Sequence, residues 1–126
     1  GSGMVGNLPT PMDTLDFMML VKEKFGVKIL RHTTLVKDSI SRVAVCGGSG
    51  SFLLPQAIAS GSDVFVTADY KYHQFFDAEG KIIILDIGHF ESEQFTSNLL
   101  LKIIREKFPN FAVQLTGINT NPINYL

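Results

Sequence analysis

The sequence lacks the cysteine pairs that disulfide bonds need and the long apolar runs that membrane-spanning helices need. Its 126 residues include one cysteine, Cys46, so no internal disulfide can form, which favours a reducing compartment. No apolar run approaches the roughly 18 residues that a membrane helix needs, and no signal peptide is recognisable. We therefore expect a cytoplasmic protein without a membrane partner.

An excess of charge of either sign is also lacking. The 11 basic and 12 acidic residues are interspersed and give a formal net charge of -1. No basic patch indicates nucleic-acid binding, and no acidic tail indicates a tether. Apolar residues make up 45% of the chain and charged residues 18%, which is typical of a globular protein with a substantial core.

What the sequence does contain is an alternation of strand-like and helical patterns. Three strand–loop–helix units have their strands at 42–46, 63–67 and 81–85. This alternation predicts an α/β fold, with a mostly parallel or mixed sheet flanked by helices. We expect residues 1–126 to form a single α/β domain, in which 111–115 is a last strand.

The first thirty residues predict one helix between two less regular segments. Residues 1–11 are rich in Gly, Pro and Asn and are expected to be an irregular lead-in. Asp13 is a good N-cap for a helix that ends before Gly26, and 27–30 resembles a strand. The residues of this helix that we expect to face the core are Leu15, Met18, Met19 and Val21.

His89 and Glu93 are the leading candidates for a metal site. They follow the fully apolar run 81–85, which is typical of a strand buried on both faces. An imidazole and a carboxylate four residues apart at the start of a helix can bind one divalent metal. Alternatively, His89 caps a neighbouring group while the acidic residues complement the helix dipole. Two ligands do not complete a metal site in either case.

Asp69 and His73 form a second pair with the same spacing. Asp69 follows the strand at 63–67 and could be the N-cap of the next helix. In the functional interpretation the pair is catalytic, with His73 orienting a ligand or acting as a general acid or base beside the metal.

A glycine-rich loop follows the strand that ends at Cys46. Backbone amides of such a loop can cradle an anion, and the residues concerned are Gly47, Gly48, Ser49, Gly50 and Ser51. The loop has neither the third glycine of a dinucleotide fingerprint nor the Lys of a P-loop. The alternative is a flexible turn beside a buried thiol. If the sheet is parallel, this loop, Asp69 and His89 converge at one edge.

The residues together resemble a known family. The chain is similar to the C-terminal part of the Nif-three-like (Ngg-interacting factor three-like) family, whose members are called GTP cyclohydrolase I type 2 homologs. The resemblance covers nearly the whole chain in order and spacing. The matching segments are 1–8, 43–50, 63–73, 88–93 and 121–122.

The resemblance implies a centre of two divalent metal ions (zinc, manganese or iron). Its C-terminal ligands match His89 and Glu93, and its other ligands come from an N-terminal half outside this chain. One departure is Ala68, where the family usually has glycine. Intact members of the family are hexamers, so the resemblance also implies a homo-oligomer and the missing N-terminal half as partner.

The function that the resemblance implies is metal-dependent hydrolysis, for which this chain alone is expected to be inactive. A small phosphorylated or nucleotide-like ligand would bind through the amides of residues 47–51. The alternative is a non-enzymatic metal-binding scaffold or regulatory interaction protein. A serine hydrolase using Ser49 and His89 is disfavoured, because Ser51 stands where the closing glycine of a nucleophile elbow belongs.

Overall fold

A computed structural model describes residues 2–126, so Gly1 of the predicted lead-in lies outside the described residues. The strands are β1 (Met4–Asp13), β2 (Arg31–His32), β3 (Ser39–Ser49), β4 (Val64–Ala68) and β5 (Ile83–Asp86). The α-helices are α1 (Thr14–Phe25), α2 (Leu54–Ala59), α3 (His89–Glu93) and α4 (Thr96–Lys107). Two 3₁₀ helices span Ser51–Leu53 and Tyr72–Ala78.

The chain divides into two compact units whose boundary in the sequence lies between Ser92 and Glu93. The first unit contains all five described strands, and the second contains α4. The expectation of a single domain stays a prediction.

The five strands form one mixed sheet in the order β1-β3-β4-β5-β2. The three central strands are parallel, with Val43 beside Val64 and Val64 beside Ile83. The two outer strands are antiparallel to their neighbours. The predicted α/β fold with a mixed sheet is therefore confirmed.

The edge strand β1 corrects the expectation of an irregular lead-in. From Met4 onward the chain pairs with β3, and the register shifts between Asn7 and Met12. Pro9 and Pro11 lie within that interval. Proline has no N–H to give to a ladder, but an edge strand needs hydrogen bonds on one side only and tolerates it. The Gly and Pro content of residues 1–11 therefore did not indicate the strand that forms there.

Helix α1 begins and ends as predicted. The Asp13 carboxylate accepts hydrogen bonds from the backbone N–H groups of Leu15 and Asp16, and Gly26 adopts φ +63° after the last turn. The buried residues of α1 are Thr14, Phe17, Met18 and Val21, which recur at helical spacing. The expectation that Leu15 and Met19 face the core is wrong, because this stripe leaves both of them outside.

Two of the predicted strands do not form. Residues 27–30 are not a strand, because the short ladder with β5 begins only at Arg31. The apolar residues Val27 and Leu30 pack into the hydrophobic core without pairing. Residues 111–115 form no regular element. A strand needs a partner ladder, and residues 93–126 contain no other strand to supply one.

Both faces of the sheet are covered by hydrophobic clusters. Ile83 and Leu85 belong to the cluster that includes α1, whereas Ile84 belongs to the cluster that includes α2. This alternation is that of a strand buried on both faces, as the apolar run at 81–85 predicted.

The single helix expected after the strand at 81–85 is instead two helices, because α3 ends at Glu93 and α4 begins at Thr96 and ends at Lys107, before Pro109. Among residues 2–126, none of the helices has the length and apolar character required to cross a bilayer.

Candidate functional site

The loops that follow the three parallel strands converge at one edge of the sheet. The backbone N–H of Gly48, near the end of β3, donates to Ser92 Oγ on α3 at 2.8 Å. The Thr67 hydroxyl on β4 donates to the carbonyl oxygen of Gly48 at 3.3 Å. This convergence, which the sequence predicted, follows because parallel strands place their carboxyl ends on the same side.

At this edge Asp69 and His89 form a hydrogen-bonded pair. His89 Nδ1 lies 2.6 Å from Asp69 Oδ2, and both side chains are partly exposed. An ionised carboxylate can only accept, so Nδ1–H donates and the neutral imidazole carries its lone pair on Nε2. This fixes both the ring orientation and the tautomer of His89.

The role expected for Asp69 as an N-cap is wrong. The segment that follows is a 3₁₀ helix that begins at Tyr72, with Lys71 in the N-cap position. Asp69 itself has φ +60°, in the left-handed region that residues other than glycine rarely adopt. Its carboxylate binds His89 instead, twenty residues further along the chain.

His73 and Glu93 occupy separate short elements. His73 is exposed on the 3₁₀ helix, and its ring contacts that of Tyr72 edge-on, with 5.2 Å between the centroids. Glu93 is the last residue of α3, the helix that His89 begins as predicted. Among residues 2–126, no three His, Cys, Asp or Glu side chains lie close enough together to hold a metal ion. The assigned roles of His73 and Glu93 stay predictions.

The glycine-rich loop is more tightly packed than a flexible turn. Strand β3 continues through Ser49, and Gly48 adopts φ +64° with its amide bound to Ser92. A Cβ on Gly50 would lie 2.2 Å from Thr67 Oγ1 and 2.9 Å from Cys46 Cβ. The Gly48 amide thus has a hydrogen-bond partner within the protein. The anion-binding role of the loop, that is of Gly47, Gly48, Ser49, Gly50 and Ser51, stays a prediction.

Asp86 is an important residue of this edge whose role was not predicted from the sequence. Its Oδ1 accepts the backbone N–H of Gly88 at 3.1 Å, and its Oδ2 accepts that of Tyr70 at 3.0 Å. Arg31 forms an ion pair with the same Oδ2 and donates to the carbonyl oxygen of Tyr70 at 2.9 Å. The sequence Asp-Ile-Gly could have indicated the Asx turn to Gly88. Nothing local could have indicated Arg31.

Tyr70 is buried beside this site. Its ring packs against Phe75, and its hydroxyl has no hydrogen-bond partner among the described residues. Burial, and then the negative charges of Asp77 and Asp86, strongly raise the pKa of Tyr70. The phenol therefore remains protonated at neutral pH and does not serve as a base.

A cavity of about 600 Å³ lies along the outer strand β2. Its lining is largely apolar and aromatic and includes Tyr72, Phe75 and Phe76 as well as Arg31 and His32. Neither Asp69 nor His89 lines it.

Solved structures with the same α/β architecture support this description of the fold. The chain superposes on a Bacillus cereus protein related to NIF3 with a TM-score of 0.82 and 31% identity, covering 100% of this chain and 36% of that one. The Staphylococcus aureus protein SA1388 gives a TM-score of 0.82 and 30% identity, covering 98% of this chain and 42% of that one.

The family itself is shown by the sequence. The model of the Duf34/NIF3 (NGG1p interacting factor 3) family matches residues 1–122, and the chain belongs to this family. It is 37% identical to a Campylobacter jejuni protein named GTP cyclohydrolase 1 type 2 homolog, over 83% of this chain and 42% of that protein. A Staphylococcus aureus protein of the same name is 31% identical, over 100% of this chain and 36% of that protein. The chain thus spans about two fifths of these relatives.

Proposed function

We propose that this chain contributes His89 and Glu93 to a dinuclear metal centre of a metal-dependent hydrolase. The remaining ligands of the centre would come from outside residues 1–126. The observation that carries this proposal is the hydrogen bond between Asp69 Oδ2 and His89 Nδ1, at 2.6 Å.

The donor set fits a divalent metal ion. Histidines that bind metals usually donate their other ring N–H to a carboxylate or carbonyl, which fixes the tautomer and makes the ligating nitrogen more basic. Asp69 stands in this relation to His89, so Nε2 is the proposed ligating atom. The imidazole and carboxylate types of His89 and Glu93 suit zinc, manganese and iron alike.

When bound, two such ions would supply Lewis acidity and lower the pKa of a coordinated water. Asp69 would hold the imidazole of His89 in its ligating orientation. The residues of the glycine-rich loop would orient an anionic group of the substrate. His73 would move a proton to or from the leaving group.

The substrate class we propose is a small phosphorylated or nucleotide-like molecule. Two observations support this choice: the loop at 47–51 lies at the same sheet edge as His89, and relatives carry the name GTP cyclohydrolase 1 type 2 homolog. That name belongs to the relatives, and for this chain guanine recognition is part of the proposal.

A second candidate is a non-enzymatic metal-binding scaffold or regulatory interaction protein. The family description, NGG1p interacting factor 3, favours this possibility. In that case the metal would organise an interface, within a homo-oligomer or with another protein, and no turnover would depend on it.

Metal analysis of the complete protein that contains these residues tests the first candidate. After equilibration with zinc or manganese, we expect about two ions per chain, and loss of one or both in His89→Ala or Glu93→Ala. His32→Ala is the matched control, because His32 lies on β2 and its Nδ1 contacts the Thr33 carbonyl oxygen.

The outcomes separate the two candidates. Metal-dependent hydrolysis of nucleotides that disappears in His89→Ala supports the hydrolase. Metal binding without turnover of any nucleotide or phosphorylated compound supports the scaffold. An unchanged metal content in His89→Ala would contradict the assignment of His89 as a ligand.

A further inference from the structure

We propose that Asp86 is a positioning residue, which sets the geometry of the Asp69–His89 pair, and that Arg31 holds Asp86 in place. The inference rests on the proposed function and deepens it. It adds to the candidate metal site two residues that are not themselves proposed as metal ligands.

The two carboxylate oxygens of Asp86 reach two different loops. Oδ2 accepts the N–H of Tyr70, the residue directly after Asp69. Oδ1 accepts the N–H of Gly88, the residue directly before His89. One rigid carboxylate thereby links the backbone segments that carry the two members of the pair.

The segment that carries Asp69 adopts a backbone conformation that needs support, whereas glycine at position 88 adopts its positive φ without strain. Asp69 has φ +60° and Gly88 has φ +91°. The left-handed region is unfavourable for a residue with a Cβ and persists only where the surroundings enforce it. Asp86 accepts a hydrogen bond from the residue immediately after Asp69, which opposes relaxation of the strained turn, and one from Gly88, which fixes the turn that leads into His89.

Arg31 compensates the buried charge of Asp86. The Asp86 side chain is 3% exposed, and a carboxylate so buried requires an opposite charge and hydrogen bonds. The Arg31 guanidinium supplies the charge, bonds to the Tyr70 carbonyl oxygen and lies 5.4 Å from the centroid of the Phe75 ring. Because the Arg31 side chain is 57% exposed, it can be replaced without opening a hole in the core.

The variant Asp63→Asn is the control for a general loss of stability. Asp63 Oδ2 accepts the backbone N–H groups of Ser41 and Arg42 at 2.9 Å, and Oδ1 lies 3.6 Å from Lys37 Nζ. This carboxylate also joins backbone amides and a cation, but it precedes β4 and so lies at the opposite end of that strand from Asp69.

The experiment compares Asp86→Asn, Arg31→Gln and Asp63→Asn in the complete protein. The first readout is the tautomer of His89 without metal, from long-range ¹H–¹⁵N spectra of its ring. The second is the dissociation constant for Zn²⁺ alone. We expect Asp86→Asn and Arg31→Gln to shift His89 away from the Nδ1–H tautomer and to weaken Zn²⁺ binding by about 10- to 100-fold. Asp63→Asn should change neither.

The remaining outcomes are decisive. If Asp86→Asn and Arg31→Gln match Asp63→Asn in both readouts, the positioning role is overturned. If Asp86→Asn does not fold, Arg31→Gln carries the same test, and Arg31→Lys should restore part of the Zn²⁺ affinity. A shifted tautomer in Asp86→Asn, together with an unchanged metal content in His89→Ala, would refute the metal site but support the positioning role.

Discussion

Ser92 and Gly48 join helix α3 to the glycine-rich loop through a single hydroxyl group. Ser92 Oγ accepts the Gly48 N–H at 2.8 Å and donates to the His89 carbonyl oxygen at 2.7 Å. One hydroxyl can do both, since it carries one donor and two acceptor lone pairs. The C-terminal end of β3 is thereby tied to the helix that begins with His89.

Replacement of Ser92 by Ala should lower the free energy of unfolding by about 1 kcal/mol, because the Gly48 amide loses its partner. Urea denaturation measures the change. Ser97→Ala is the control, since that hydroxyl is exposed and donates to the Gln94 carbonyl oxygen at 3.4 Å. Equal stability of Ser92→Ala and the parent protein would show that this bond contributes little.

Gly50→Ala should lower the free energy of unfolding by more than Ser92→Ala does. The Gly50 φ of -106° is open to any residue, so the problem is steric: the new Cβ would overlap the buried Thr67 hydroxyl. Overpacking of this kind costs about 1–3 kcal/mol. Gly6→Ala is the control, because no atom lies within 4 Å of a Cβ built there. If thermal unfolding gives equal midpoints for the two variants, the close packing at Gly50 is not rigid.

Asp63 should make stability depend on acid pH. Burial acts to raise the pKa of Asp63, but the backbone N–H groups of Arg42 and Ser41 and the charge of Lys37 outweigh it and lower the pKa below 3.8. A carboxyl group whose pKa is depressed by folding stabilises the protein above its unfolded pKa. This contribution disappears as the pH falls through the folded value.

The prediction for Asp63→Asn is therefore a smaller loss of stability between pH 6 and pH 2 than in the parent protein. Denaturant midpoints across this range provide the measurement. Asp38→Asn, at an exposed position in the same unit, serves as the comparison. Parallel pH profiles for Asp63→Asn and the parent would contradict the depressed pKa.

Tyr70→Phe should be neutral or slightly stabilising. The hydroxyl is buried and has no hydrogen-bond partner among the described residues, so its removal relieves a desolvation cost without breaking a bond. Calorimetry would detect the change, with the exposed Tyr72→Phe as the matched variant. A loss of stability in Tyr70→Phe alone would reveal a polar partner for this hydroxyl.

The central fold could be predicted because its signals are local. The apolar run at 81–85 predicts a doubly buried strand, and β5 has that character. Asp13 and Gly26 predict the two ends of α1, since a side-chain cap and a left-handed glycine act on neighbouring residues. The convergence of the Gly48 loop and His89 then follows from the parallel arrangement alone.

What the sequence could not predict depends on contacts between distant residues. Asp69 has the local features of an N-cap, but its carboxylate binds His89. Arg31 and Asp86 are fifty-five residues apart, so no periodicity relates them. A proline such as Pro9 locally indicates a loop. A strand is possible there only because β1 lies at the edge of the sheet, where the missing N–H is tolerated.

The same edge position has a consequence for self-association. An exposed strand offers unpaired amide and carbonyl groups on which another chain can stack, which is a common beginning of aggregation. In β1, Pro9 and Pro11 have no backbone N–H and lie within the interval where the register shifts, which interrupts a regular ladder. On the opposite side, β2 is only two residues long. Neither border of the sheet is thus a good template for cross-β growth.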